Sequence, residues 1–211
     1  MQRKKVTIIL LSFFIILAAV FMTYFYNVTK VAPKQFPVLG FPGHKVTSFA
    51  FTNQEGKAVT QEDVKGKVYV VEFFFTTCKG ICPKMNENMS KVYEAYRGVE
   101  DFKILSHTVD PKKDTVQAMK AYSMRFDADP KQWMFLTGDK KELYDMARYS
   151  YIVTAVDDTA SVDIESDFIH TDKFVLVDRT GQIRGQYDGT DMASVNQLIS
   201  DIKDLMKEDT K

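Results

Sequence analysis

The sequence predicts one exported α/β domain, a central sheet with flanking helices, preceded by a single N-terminal membrane helix. Three observations carry that expectation. Apolar runs of strand length alternate with amphipathic helical stretches over most of the chain. One of those runs, Val68 to Phe75, feeds directly into a turn that holds both of the protein's 2 cysteines, Cys78 and Cys82. Near the start, the basic cluster Arg3, Lys4 and Lys5 precedes a stretch without charge from Val6 to Asn27.

The apolar run Val6 to Tyr26 spans about 30 Å as a helix, enough for one bilayer crossing. Tyr24 and Tyr26 stand at its far end, where aromatic residues favour the membrane interface. The basic cluster places residues 1–5 in the cytoplasm, 6–26 across the cell membrane, and the rest on the extracytoplasmic, periplasmic side. A cleaved signal peptide is the competing reading. Its apolar core is ordinarily ~7–15 residues and ends in a small-residue site, which this run lacks. No cysteine follows the run for a lipid anchor. Export puts the domain where disulfides persist. Acidic and basic residues balance at 28 each in 211 residues, which removes the electrostatic case for nucleic-acid binding.

Residues 27–45 hold half of the 6 prolines (Pro33, Pro37, Pro42) together with Gly40 and Gly43, a composition suited to an extended stalk and edge segment rather than a regular element. The globular domain is expected over 46–211. Phe49 to Phe51 and Ala58-Val59 flank a Gly56-containing connection and read as a hairpin; Gln61 to Lys65 is a helical turn. After the cysteine turn, Met85, Met89, Val92 and Tyr96 recur at helical spacing up to Gly98, and Pro83 suits the first turn of that helix, which therefore starts near Cys82. Phe102 to Val109 is the next strand. Asp114 is expected to cap a helix reaching Phe126, with Val116, Met119 and Tyr122 on its apolar face. Trp133 to Leu136 is a strand and Lys140 to Tyr149 a helix; Tyr151 to Asp167 is irregular and acidic. Phe174 to Val177 and Ile183 to Tyr187 form a hairpin, and Met192 to Met206 closes the domain. This order, with a cysteine turn ending the first central strand, makes a thioredoxin-like sandwich the natural architecture.

Cys78 and Cys82 sit where a strand meets the positive end of a helix, a position that favours thiolate. Three residues separate them, against two in the usual redox dithiol, so both sulfurs can face one point a helical turn apart. Two thiolates on one face suit Cu(I) or zinc, and an imidazole would also stabilise Cu(II). A plain structural disulfide is the bland alternative, but so short a loop gains little from closure. Among the 3 histidines, His44 lies in the stalk as a solvated residue and His107 lies within a strand as a satisfied sheet residue. His170 sits in the loop entering the strand Phe174 to Val177, which this fold sets against the cysteine turn. Met85 and Met89 are better explained as core than as copper ligands. The acids Asp157, Asp158, Asp163, Glu165 and Asp167 form no defined cation loop.

The chain resembles the Sco/SenC family of copper-binding cytochrome c oxidase assembly proteins. The resemblance rests on FFFTTCKGICPKM at 73–85, TVDPKKDTVQAMKAYSMRF at 108–126 and DFIHTDKFVLVDRTGQI at 167–183, in that order, and runs over roughly 46–206. It implies a thioredoxin-like domain holding one copper through Cys78, Cys82 and His170. It also implies delivery to the dinuclear copper centre of the oxidase, or preparation of its cysteines by thiol–disulfide exchange. The family turn commonly reads Cys-Pro-Asp-(Val/Ile)-Cys-Pro; here Lys79 and Gly80 replace the inner proline and acid. Gly80 loosens the turn, and Lys79 adds a positive charge that favours thiolate.

Three functions follow. A copper carrier for an oxidase subunit or another cuproprotein needs no general base and no small-molecule substrate pocket, and the sequence offers neither. A tethered thiol–disulfide reductase would use Cys78 to attack and Cys82 to resolve; the loop from Ile169 to Lys173 lacks the proline that such enzymes place opposite their cysteines. A redox sensor has no feature selecting it. The carrier, a metallochaperone rather than an enzyme, is the expectation.

Overall fold

The computed structural model describes residues 2–29, 34–153, 169 and 171–208. The chain divides into two units, one ending at Gln35 and one beginning at Phe36. The first contains helix α1 (Gln2–Thr29). Over Lys4–Tyr26 it is long and apolar enough to cross a membrane.

The second unit is built on β1 (Ala50–Asn53), β2 (Ala58–Thr60), β3 (Val68–Phe74), β4 (Phe102–Thr108), β5 (Trp133–Thr137), β6 (Lys173–Val177) and β7 (Ile183–Asp188). Its helices are α2 (Gln61–Val64), α3 (Cys82–Tyr96), α4 (Val116–Ser123), α5 (Lys140–Asp145) and α6 (Met192–Glu208). The strands make one mixed sheet in the order β2-β1-β5-β4-β3-β6-β7. β3, β4 and β5 run parallel, while β6 lies antiparallel to β3 with Val71 opposite Val175. This is the thioredoxin-like sandwich with flanking helices that the sequence predicts.

β3 is buried along its whole length because both faces of the sheet are covered. Val68, Val70 and Phe74 meet α3, α4 and α6 through Met85, Met89, Met119, Leu198 and Ile202. Tyr69, Val71 and Phe73 meet Phe51 and the α5 residues Leu143 and Tyr144. Met85 and Met89 are fully buried in the first cluster, which is core packing.

Three expectations change. The folded unit begins at Phe36 rather than near Val46, with 36–45 as its edge segment: Phe36 and His44 are buried, Leu39 bridges to Ile183, and Arg184 donates to the carbonyls of Phe36 and Pro37. The prolines of that segment suit a chain that lies along the sheet edge, where few backbone donors are needed. Asp114 does not cap α4. Thr115 does so, its Oγ accepting from Ala118 N at 3.3 Å, because the Asp114 carboxylate is engaged elsewhere. The helix expected to reach Tyr149 leaves α geometry after Asp145 and continues as a π-turn over Met146–Ser150. Most of the acidic segment expected to be irregular, 154–168, lies outside the described residues.

Candidate metal centre

β3 delivers the chain to a turn, Phe75 to Ile81, whose first hydrogen bond runs from Cys78 N to Phe75 O at 3.2 Å. α3 then starts at Cys82 with Pro83 in its first turn, as the sequence predicts. No side chain caps this helix; the residue at the cap position is Ile81. The Cys78 sulfur lies near the backbone N–H groups at this helix start. Burial opposes its ionisation, but the Cys82 thiol and the backbone N–H groups of Cys82, Gly80 and Ile81 outweigh burial, and the Cys78 pKa falls below the ordinary thiol value. A helix N-terminus aimed at a sulfur is a thiolate site.

Cys82 behaves in the opposite way. Burial, then the neighbouring Cys78, push its pKa up to about 12, with the Phe75 backbone opposing them. Both cysteines are free; Cys78 is half-buried and Cys82 buried. One sulfur therefore gives up its proton more readily than an ordinary thiol, and the other, more deeply buried, less readily. Gly80 is not required by the backbone, since a Cβ there would meet only Cys78 Sγ at 3.9 Å, an ordinary contact.

Two acids that sequence reasoning missed support the turn. Asp114 accepts from Thr76 N, Thr76 Oγ and Thr108 Oγ, which ties the residues just before Cys78 to the end of β4 and the entrance of α4. Burial raises its pKa while these bonds lower it, with burial ahead. Glu72 stands within β3, fully buried. Its Oε1 accepts from Ser106 Oγ, which in turn accepts from Trp133 Nε1 at 2.8 Å, and its Oε2 has no partner among the described residues. Burial pushes the Glu72 pKa up to about 7 despite the Ser106 bond. The signal was available: Glu72 is the one charged residue in VYVVEFFF.

The other histidines are elsewhere. His44 is buried rather than solvated, with Nε2 2.9 Å from Ser150 O and its ring against Phe41. His107 is not a satisfied sheet residue: it is fully buried, and neither ring nitrogen has a partner among the described residues. Phe49, Phe51, Phe73 and Tyr151 surround its ring. Its strand position faces a pocket of aromatic rings, and burial drives its pKa down to about 3. His170 lies outside the described residues, and among the described residues no group of three His, Cys, Asp or Glu converges on a point that could hold a metal.

The model of the SCO1/SenC family matches residues 39–207. The chain belongs to this family. Among its relatives is the SCO1 protein homolog of Bacillus subtilis, 31% identical over 162 residues that make up 76% of this chain and 82% of that one. In structure it is similar to BsSco, a member of the Sco family of cytochrome c oxidase assembly proteins in which a disulfide switch has been identified. The TM-score is 0.66 at 30% identity, covering 82% of this chain and 98% of that one. It is also similar to Bradyrhizobium japonicum ScoI with copper bound, with a TM-score of 0.60 at 28% identity over 76% of this chain and 99% of that one.

Proposed function

We propose that this Sco-family chain is a membrane-anchored copper carrier. Cys78, Cys82 and His170 hold one copper ion and pass it on during assembly of the dinuclear copper centre of cytochrome c oxidase. The observation that carries the reading is the pair of free cysteines at the uncapped start of α3, one poised to ionise and one held beside it. Two soft sulfur donors on one turn match copper, and so does the copper-bound relative ScoI. His170 is supported by register. β6 begins at Lys173, shortly after His170 in the chain, and pairs antiparallel with β3, the strand that leads into the cysteines.

Copper is the cargo here. It binds by displacing the two thiol protons, so uptake releases acid. Release proceeds by exchange of ligands with the recipient at the exposed sulfur first, since Cys82 is covered. Helix α1 holds the domain at the membrane, and Arg3, Lys4 and Lys5 keep its start in the cytoplasm, which leaves the copper site on the extracytoplasmic side.

A second reading has its own support. The asymmetry between Cys78 and Cys82 is what a thiol–disulfide reductase requires, with the low-pKa sulfur attacking and the buried one resolving. One experiment separates the two. Copper bound per chain and thiolate-to-Cu(II) charge-transfer absorption are measured for the reduced wild type and for His170→Ala. One copper per chain, with absorption lost or shifted in the variant, is the carrier's result. No retained copper, with rapid reduction of a test disulfide that is indifferent to His170, is the reductase's result.

A further inference from the structure

Away from the cysteines, the sheet leaves part of one strand without a neighbour. β1 pairs with β2 so that Phe51 stands opposite Val59, and Asn53 N donates to Lys57 O at 2.9 Å where the hairpin turns. Bonded positions alternate in an antiparallel pair, so Asn53 and Phe51 aim their N–H and C=O groups at β2, while Thr52 and Ala50 aim theirs at β5. β5 meets Thr52 with Thr137 and then ends, because Gly138 lies tight against the Phe51 ring and Asp139 already caps α5. Ala50 therefore has no strand on its β5 side among the described residues. Ser48 continues that edge: Ser48 and Ala50 are exposed and Phe49 between them is buried, the alternation of an extended chain.

Beside this edge lies an open cavity of about 480 Å³, walled by residues 47–51 on one side and by α5 and the π-turn on the other. Thr47 closes one end, its N–H donating to Ser150 Oγ at 2.9 Å. Glu142 and Asp145 supply the charge on the wall, and no Lys or Arg contributes to the lining. Glu142 forms no ion pair among the described residues. Asp145 pairs with Lys141 in an exposed i,i+4 contact, which holds its carboxylate only weakly.

We infer that this groove takes an extended segment of a partner protein that carries lysine or arginine. The segment adds a strand where β5 ends, bonding to the backbone of Ser48 and Ala50, and sets its cations against Glu142 and Asp145. Backbone pairing supplies affinity whatever the sequence, and the two carboxylates supply the preference for a basic one. The volume lies within the ~300–1,000 Å³ typical of occupied clefts. Charge argues against the chain's own residues 154–168 as the occupant, since they hold Asp157, Asp158, Asp163, Glu165 and Asp167 and no Lys or Arg. The groove belongs to the sheet face of Phe49, Phe51 and Met146, opposite the face that packs Cys82 and Met85, so this docking does not rest on the copper reading.

The test uses the full chain in neutral detergent micelles and an end-capped peptide of alternating threonine and lysine, with affinity and backbone amide NMR shifts as readouts. The expected result is saturable binding that shifts residues 47–51 and 142–149. It is at least about tenfold tighter than for the threonine–glutamate counterpart, and high salt weakens it. Glu142→Gln with Asp145→Asn weakens it at least about tenfold. Neither acid is buried, so copper binding and unfolding temperature stay at wild-type values in that pair. Every second peptide N–H faces β1, so N-methylating one alternate set abolishes binding and N-methylating the other set does not. No saturable binding, equal binding of the lysine and glutamate peptides, or the same response to both methylated forms overturns the inference. So does a wild type that excludes the peptide until the acids of 154–168 are changed to amides, which assigns the groove to that segment. Exclusion that accompanies self-association assigns it to a second copy and overturns the inference equally.

Discussion

Ser106 and His107 are neighbours on β4, yet they enter opposite faces of one sheet and meet opposite conditions. On the cysteine face, Ser106 links Glu72 to the Trp133 indole, so the buried polar groups there are largely bonded to one another. On the other face, His107 is enclosed by four aromatic rings with no partner for either nitrogen among the described residues. Both Glu72 and His107 are driven towards their neutral forms by burial, one upward and one downward. Depth of burial is therefore not what marks the functional face. What marks the cysteine face is a set of backbone donors arranged around the Cys78 sulfur, which lower its pKa against the effect of burial.

The largest expected effect tests that distinction. Cys78→Ser or Cys82→Ser lowers copper affinity by more than about 100-fold, beyond the ~10–100-fold typical of supporting residues, while His107→Leu leaves it within about threefold. Competition against a copper chelator checks both. Loss of copper in the His107 variant would erase the contrast between the faces.

The next effect is on stability against pH. The folded pKa of His107 is about 3 against an ordinary 6.5, so the unfolded chain binds the extra proton, and stability is lost as pH falls from 6.5 towards 3. The folded pKa of Glu72 is about 7 against an ordinary 4.5. Its contribution is complete below 4.5 and is lost as pH rises through 7. Between pH 4.5 and 6.5 the two slopes, each on the order of 1.4 kcal/mol per pH unit, oppose each other. Urea melts across that range should show His107→Leu becoming less stable as pH rises and Glu72→Gln becoming more stable, with the wild type flatter than either. Parallel curves for all three would show that neither group is buried as described.

Smaller effects concern the supports of the turn. Asp114→Ala removes the acceptor of three bonds and leaves Thr76 N, Thr76 Oγ and the Thr108 hydroxyl proton without it, which costs about 2 kcal/mol in denaturant unfolding and quickens copper loss to a chelator. Thr115→Ala removes only a helix cap, costs about 1 kcal/mol, and leaves copper release unchanged. Equal copper-release rates in these two variants would reduce Asp114 to general stability.

Much of this protein was legible in the chain order. Alternating apolar periods marked β3, α3, β4, α4, β5 and α6, because strand and helix bury residues at different spacings. The cysteines could be placed at a strand-to-helix turn because Pro83 fits only near a helix start. The uncharged run after a basic cluster marked a membrane-length helix. Tertiary structure decided the rest. It set backbone donors of the turn around the Cys78 sulfur, and it took Asp114 from α4 to hold the turn through Thr76, a contact between residues far apart in sequence. It began the folded unit at Phe36, and it set the opposite shifts of Glu72 and His107. Local spacing records which side of an element is buried. Only the packed chain determines what a buried polar group finds there.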